Sequence, residues 1–340
     1  MVDTDGTLLQ RSPMFMEDLA YFTLDTDREH QEVCEVAPRM DPDEEVYTAC
    51  VLGLKDYMAK NGFTGVCLGL SGGIDSALVA AMAADAVGGG NVYGISMPSM
   101  YSSQGSKDDA ADLAANIGTH YDVQPIKPMY DAFQQQLALD GVSAENLQAR
   151  IRGVIVMAYS NSKGVLALAT GNKSELACGY STIYGDAVGG YAPIKDVFKT
   201  KVWQLARWRN SAAAAGMGVG GLHIVGNEAG DAGVQLPGGV MIPVNSITKA
   251  PSAELRPGQK DSDSLPQYEL LDRVLEAYIE HAHGRADLLA DGFDDETVST
   301  VIRLVDRAEW KRRQYPLGPK VSALAFGRDR RLPVTGAFRE

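Results

Sequence analysis

Short apolar runs alternate with helical stretches between residues 64 and 170, and that alternation leaves the fewest folds open. Val66-Cys67-Leu68-Gly69-Leu70, Val92-Tyr93-Gly94-Ile95-Ser96-Met97, Tyr121-Asp122-Val123 and Val165-Leu166-Ala167-Leu168-Ala169-Thr170 read as buried strands. Helical patterns lie between them: 75–86, stopped by Gly88-Gly89-Gly90; 106–117, ended by Gly118; and two more near 129–138 and 144–161. Apolar strands joined through helices imply a parallel sheet covered on both faces, with right-handed crossovers. The fold class expected is α/β, a doubly wound, Rossmann-like parallel sheet.

The flanks read differently. Thr7-Leu8-Leu9 and Leu19-Ala20-Tyr21-Phe22-Thr23-Leu24 look like short strands, so residues 1–25 are expected to form a small β appendage. Residues 26–43 are acidic and contain Pro, which suits a linker. Asp41-Pro42 then opens a helix through Val46, Cys50, Leu54 and Met58. Residues 211–242 are rich in Ala and Gly without a period and read as a long surface insertion. Helices are expected at 267–283 and 294–313. The main domain is therefore placed at 44–325, with a basic tail at 326–340. Trp203 and Trp208 read as packing or dimer surface.

Composition excludes several classes. A chain of 340 residues, 45% hydrophobic and 22% charged, is globular rather than disordered or fibrous. No stretch approaches the ~20 apolar residues of a membrane span. Arg11 and Glu17 interrupt the start, with no basic leader and apolar run before them, which argues against a signal peptide. Cys34, Cys50, Cys67 and Cys178 form no CxxC pair, and a reducing cytoplasm is expected. With 31 Lys and Arg against 44 Asp and Glu, duplex nucleic acid is repelled on average.

In an open parallel sheet, ligands bind beyond the carboxyl ends of the strands. The first such end here is Gly69-Leu70-Ser71-Gly72-Gly73-Ile74-Asp75-Ser76. Gly72 and Gly73 let backbone approach a phosphate, Ser71 and Ser76 offer hydroxyls, and the next helix points its N-terminus at the same spot. Asp75 places a carboxylate where a metal could bridge phosphate oxygens. The loop lacks the Gly-Lys-[Ser/Thr] of the common P-loop. The plainer reading is a Gly-rich turn in which Asp75 only caps the helix.

Ser-Gly-Gly-Ile-Asp-Ser between strand and helix resembles the pyrophosphate loop of the N-type ATP pyrophosphatases, whose adenine nucleotide alpha hydrolase-like fold is then expected. Later segments resemble the NAD synthetase family: residues 145–153, 169–175, 184–186, 193–199, 251–257, the stretch around Asp272, and 310–314. The resemblance spans roughly residues 46–320 and is nearest to the synthetase domain of the glutamine-dependent form. It implies a ligase that joins nicotinic acid adenine dinucleotide (deamido-NAD) to ammonia. ATP adenylylates the nicotinate carboxylate, pyrophosphate leaves, and ammonia displaces AMP to give NAD.

The site residues follow from the resemblance. ATP is expected at residues 69–76, Thr170 and Lys199, with Asp75 and Lys199 catalytic. Asn146, Arg150, Glu175 and Lys311 are expected at deamido-NAD. Asp75 and Glu175 are the candidate Mg²⁺ ligands, Glu175 being open between metal and dinucleotide. Each has a plain alternative: Asn146 as a helix cap, Arg150 with Arg152 and Lys199 with Lys201 as solvated faces, and Lys311-Arg312-Arg313 as a basic helix end. Residues 251–265 read as a mobile lid that excludes water.

Residues 1–25 resemble only the final strands of the nitrilase-like glutaminase domain found in glutamine-dependent enzymes. The Glu-Lys-Cys machinery of that domain has no room in this length. The chain is therefore expected to use ammonia, and glutamine only through a glutaminase domain or partner. Family resemblance also implies a homodimer. A GMP-synthetase-like ligase would share the loop but lack the Asn146–Arg152 and Lys311 motifs. A non-catalytic ATP-binding module would need neither Glu175 nor Lys311.

Overall fold

The computed structural model describes residues 1–214 and 240–335. Its centre is a four-stranded parallel sheet in the order β3-β2-β1-β4, with β1 at Val66–Gly69, β2 at Val92–Ser96, β3 at His120–Val123 and β4 at Leu166–Ala167. Side chains alternate across the strands, so each strand feeds two cores. Val66, Leu68 and Leu70 pack on one face with helices α1 (Pro42–Asn61), α2 (Ile74–Val87), α3 (Gln104–Ile117) and α7 (Lys199–Ala214). Cys67, Ile95, Met97 and Ala167 pack on the other face with α5 (Gly141–Lys163), against which α4 (Lys127–Leu137) lies. The doubly wound α/β fold expected from the alternation is present.

Local chemistry sets the helix starts. Asp41 caps α1 by accepting from the N–H groups of Asp43 and Glu44, with Pro42 in the first turn. Ser103 accepts from Ser106 N at the start of α3. A third core assembles the C-terminal helices: α6 (Lys173–Cys178), α9 (Tyr268–Ile279), α10 (Arg285–Ala290) and α11 (Asp295–Arg307) bury Leu176, Leu271, Leu275, Val298, Val301 and Ile302.

Several expectations change. Helix α5 starts at Gly141, so Asn146 lies inside it and does not cap it. The helix expected over 267–283 ends at Ile279 as α9, and α10 begins separately at Arg285. The stretch 294–313 breaks at Ala308 into α11 and α12 (Glu309–Arg312), the break letting Arg312 turn back to donate to Val305 O at 2.7 Å. The fourth strand pairs with β1 only at Leu166 and Ala167; Leu168 bridges to Tyr191 instead. The N-terminal appendage reduces to isolated bridges, Val2 with Leu8 and Arg11 with Val36. Residues 19–24 form no strand, since no sheet edge is there to pair with them, and Leu19, Tyr21 and Leu24 are exposed. The basic tail is pinned at its start, where Phe326 is buried. The expected insertion at 211–242 falls mostly outside the described residues; 211–214 end α7, and Met241 and Ile242 are buried. Among the described residues, no helix is long and apolar enough to cross a membrane.

Candidate active site

The chain passes from β1 to β2 on one side of β1 and reaches β4 on the other, so connections diverge at the carboxyl ends of β1 and β4. A crevice opens at such a switch point. Here it is a cavity of about 320 Å³ lined by the loop after β1, the loop after β4, α5, residues 180–188, residues 249–255 and Asp261.

The first wall is the Gly-rich loop. Gly72 has φ +76°, and a Cβ there would come within 2.1 Å of Ser106 O, so only glycine fits. Its carbonyl accepts at 2.9 Å from the hydroxyl of Ser246, buried in α8 (Val244–Thr248). Ser76 Oγ donates to Gly73 O at 3.0 Å, and Gly73 N donates to Ser71 Oγ at 3.2 Å, which closes the loop on itself. Gly73 is the cap residue of α2 and offers no side chain to the first turn. The N-terminal amides of α2 therefore face the cavity as anion donors. Asp75 lies one turn position inside α2 and bonds across the cavity wall, which overturns its plainer reading as a cap.

The second wall brings three elements together. Lys199, at the start of α7, is 2% exposed and ion-pairs with Asp75 Oδ2 and, at 3.5 Å, with Glu175 Oε1. Its ammonium lies 5.4 Å from the Tyr268 ring centroid and 5.8 Å from that of Trp203. Burial opposes its charge, but Asp75 and Glu175 outweigh this and hold it protonated above the ordinary lysine range. Glu175 is pushed well above the ordinary carboxylate range, first by burial and then by Asp75, with Lys199 opposing. Asp261 is also raised by burial; its carboxylate accepts from Tyr268 Oη at 2.9 Å. Behind Lys199, Ser174 Oγ accepts from Lys199 N at 2.9 Å and donates to Asp272 Oδ1 at 2.5 Å.

Two carboxylates thus meet one ammonium, with Asp261 nearby. Asp75 and Glu175 present hard oxygen donors beside phosphate-binding amides, a donor set that fits Mg²⁺. The crowding of Asp75 against Glu175, with Lys199 bonded to both, is an observation of this structure that favours such a cation.

Of the residues expected from sequence, Gly69, Leu70, Ser71, Gly73, Ile74, Asp75, Ser76, Thr170, Glu175 and Lys199 line the cavity, and Gly72 shapes it from behind. Asn146, Arg150 and Lys311 are not on that wall. They gather on the loop 179–186: Asn146 Oδ1 accepts from Thr182 Oγ1 at 2.7 Å, Arg150 Nε donates to Ile183 O at 3.3 Å, and Lys311 Nζ donates to Gly179 O and Ser181 O, both at 2.7 Å. That loop contributes Tyr180, Thr182, Gly185 and Asp186 to the cavity. The solvated-face reading fails for Lys199, which is buried, and Lys201 pairs with Asp43; Arg312, read as part of a basic helix end, is buried as well.

Sequence reasoning left Arg152, Ser246, Lys249 and Glu254 without roles, yet all four line the cavity. Arg152 Nε donates to Met97 O at 3.1 Å, placing its guanidinium at the end of β2. Glu254 accepts from Ser103 Oγ and Ser106 Oγ, both at 2.9 Å, and so fastens residues 250–255 to the start of α3. Arg152 and Glu254 fall in the segments 145–153 and 251–257 that carry the resemblance, which was the available signal; Ser246 and Lys249 had none. A second hollow of about 450 Å³ lies away from the strand ends, between α1, α7 and α9.

Comparison with known proteins now bears on these residues. A family model described as NAD synthase matches residues 46–315. The glutamine-dependent NAD(+) synthetase of Acinetobacter baylyi is 44% identical over 345 residues, covering 100% of this chain and 59% of that protein. The chain thus spans about 59% of that curated relative's length. The structure of glutamine-dependent NAD⁺ synthetase from Acinetobacter baumannii in complex with ADP superposes with TM-score 0.63 at 41% identity, over 97% of this chain and 57% of that one. The NH3-dependent NAD synthetase from Campylobacter jejuni superposes with TM-score 0.61 at 28% identity, over 80% of this chain and 96% of that one.

Proposed function

The chain belongs to the NAD synthase family, and from that premise we propose that it amidates deamido-NAD with ammonia at the expense of ATP. The observation that carries this reading is that Glu175 and Lys199 converge on Asp75 at the end of the Gly-rich loop, all three lining one cavity. Amides of α2 with Ser71 and Ser76 bind the phosphates of ATP, and Thr170, beyond β4, contacts the nucleotide. A nicotinate carboxylate oxygen attacks the α-phosphorus, the bond to the β-phosphate breaks, and pyrophosphate leaves with its electron pair. Lys199 supplies positive charge as that negative charge develops. Ammonia then attacks the acyl carbon, and AMP departs. Asp75 and Glu175 would hold Mg²⁺, which supplies charge neutralisation for the phosphates.

Asn146, Arg150 and Lys311 are assigned to the deamido-NAD end, with the loop 179–186 between them and the cavity. Arg150 is exposed and Lys311 half-buried, so both have surface to offer its phosphates and carboxylate. Residues 251–265 serve as a lid that keeps water from the acyl-adenylate. Limited proteolysis at this segment should slow when both nucleotides are added; an equal rate with and without them removes the lid. We assign the active species as a homodimer in the cytoplasm, and a purely monomeric sedimentation profile removes the former claim.

The deciding experiment supplies ATP, Mg²⁺, deamido-NAD and either ammonium or glutamine, and measures NAD and pyrophosphate. NAD from ammonium alone is the expected result. Equal NAD from glutamine would overturn the ammonia assignment. ATP bound without pyrophosphate release would favour a non-catalytic module.

A further inference from the structure

We propose that Asn172 is the positioning residue that holds the Asp75 and Glu175 carboxylates at a set spacing, independently of Lys199. Asn172 is wholly buried at the end of the loop after β4. Its side chain is used at both ends. Oδ1 accepts from Glu175 N at 3.0 Å, and Nδ2 donates to Asp75 Oδ1 at 2.8 Å. Its backbone N–H donates to Glu175 Oε2 at 3.3 Å.

The two carboxylates are shared between Asn172 and Lys199 in a regular way. Asn172 takes Asp75 Oδ1 and Glu175 Oε2; Lys199 takes Asp75 Oδ2 and Glu175 Oε1. A lysine that turns toward phosphate during the reaction releases its pair of oxygens. Asn172 keeps the other pair, and its own place is set by the α6 cap rather than by any ligand. Because the carboxamide is neutral, it restrains the Asp75 carboxylate directly and Glu175 through its backbone N–H, without adding a charge that competes with a cation.

An amide is the group this position requires. Serine also caps helices well, but it has no second donor that reaches Asp75. Aspartate caps as well, but would set a carboxylate against Asp75. A residue that only capped α6 would tolerate either change.

This inference rests on reading Asp75 and Glu175 as cation ligands, and the test separates the two. Mn²⁺ binding to the full chain is followed by electron paramagnetic resonance with a non-hydrolysable ATP analogue present. Asn172→Ser and Asn172→Ala are compared with wild type, and thermal unfolding is measured alongside. The expected result is that Asn172→Ser melts as wild type yet binds Mn²⁺ at least about tenfold more weakly, a loss shared with Asn172→Ala. Wild-type Mn²⁺ affinity in Asn172→Ser would overturn the positioning role and leave a helix cap. Weakened Mn²⁺ binding that only tracks lost thermal stability across the variants would overturn it too. No Mn²⁺ bound by wild type would overturn the cation reading itself, and this inference with it.

Discussion

Lys199 stays charged while almost fully buried because Asp75 and Glu175 face it and two aromatic rings flank it. Removing one partner of such a group strands the others' charge, typically at about 3–5 kcal/mol. Lys199→Met is expected to lower stability to urea by about 3 kcal/mol, the low end because Asp75 and Glu175 keep some solvent contact. Its pyrophosphate-forming rate should fall roughly 10²–10³-fold even where it remains folded, since a charge aimed at the leaving group is lost. The cysteines give a second residue-level test. Burial pushes the Cys50, Cys67 and Cys178 thiols up to about 12, whereas Cys34 is exposed. A thiol reagent at neutral pH should therefore modify one cysteine in the native chain and four after denaturation; two fast native thiols would contradict the packing of α1, β1 or α6.

At the scale of elements, the loop between β1 and α2 separates two glycines that look alike in the sequence. Gly72 needs its positive φ and lies against Ser106 O, while Gly73 is extended at φ −79° and a Cβ would meet only Ser71 Oγ, at 3.2 Å. Gly72→Ala is expected to cost at least about 2 kcal/mol by chemical denaturation, and Gly73→Ala less than about 1 kcal/mol. Equal costs would mean that the loop is free to relax away from α3. The helices were legible where caps and glycines punctuate them: Asp41 before α1, Gly88 after α2, Gly118 after α3; the start of α3, read at 106, lies at Gln104 behind the Ser103 cap. Where the signal was only apolar spacing, the limits moved. Helix α5 gained a turn before Asn146, and the 294–313 stretch broke where Arg312 found carbonyl partners in α6 and α11.

At the scale of the molecule, Arg312 joins pieces that sequence keeps far apart. It pairs with Glu309, donates to Ala177 O at 2.8 Å and Val305 O at 2.7 Å, and lies 4.6 Å from the Phe326 ring centroid. Arg312→Ala should lower global stability by about 3 kcal/mol, leaving Glu309 buried with Arg313 as its remaining partner. Circular dichroism in urea would show this as a shifted midpoint. An unshifted midpoint would mean that the C-terminal core holds without the tie.

Local chemistry written in the chain was enough for the parallel sheet, the Gly-rich loop and most of the cavity's first wall. Strand periodicity, helix caps and the Ser-Gly-Gly-Ile-Asp-Ser order act over a few residues, and such short-range constraints survive in the sequence. Tertiary structure decided the rest. That Lys199 meets Asp75, 124 positions earlier, depends on how α7 packs beside α2. That Asn172 reaches Asp75 depends on β4 lying beside β1. Asn146, Arg150 and Lys311 met on one loop rather than on the cavity wall because that loop must satisfy its carbonyls and Thr182 hydroxyl with nearby polar side chains. Motifs name such residues, but only packing across the sheet sets which atoms they touch.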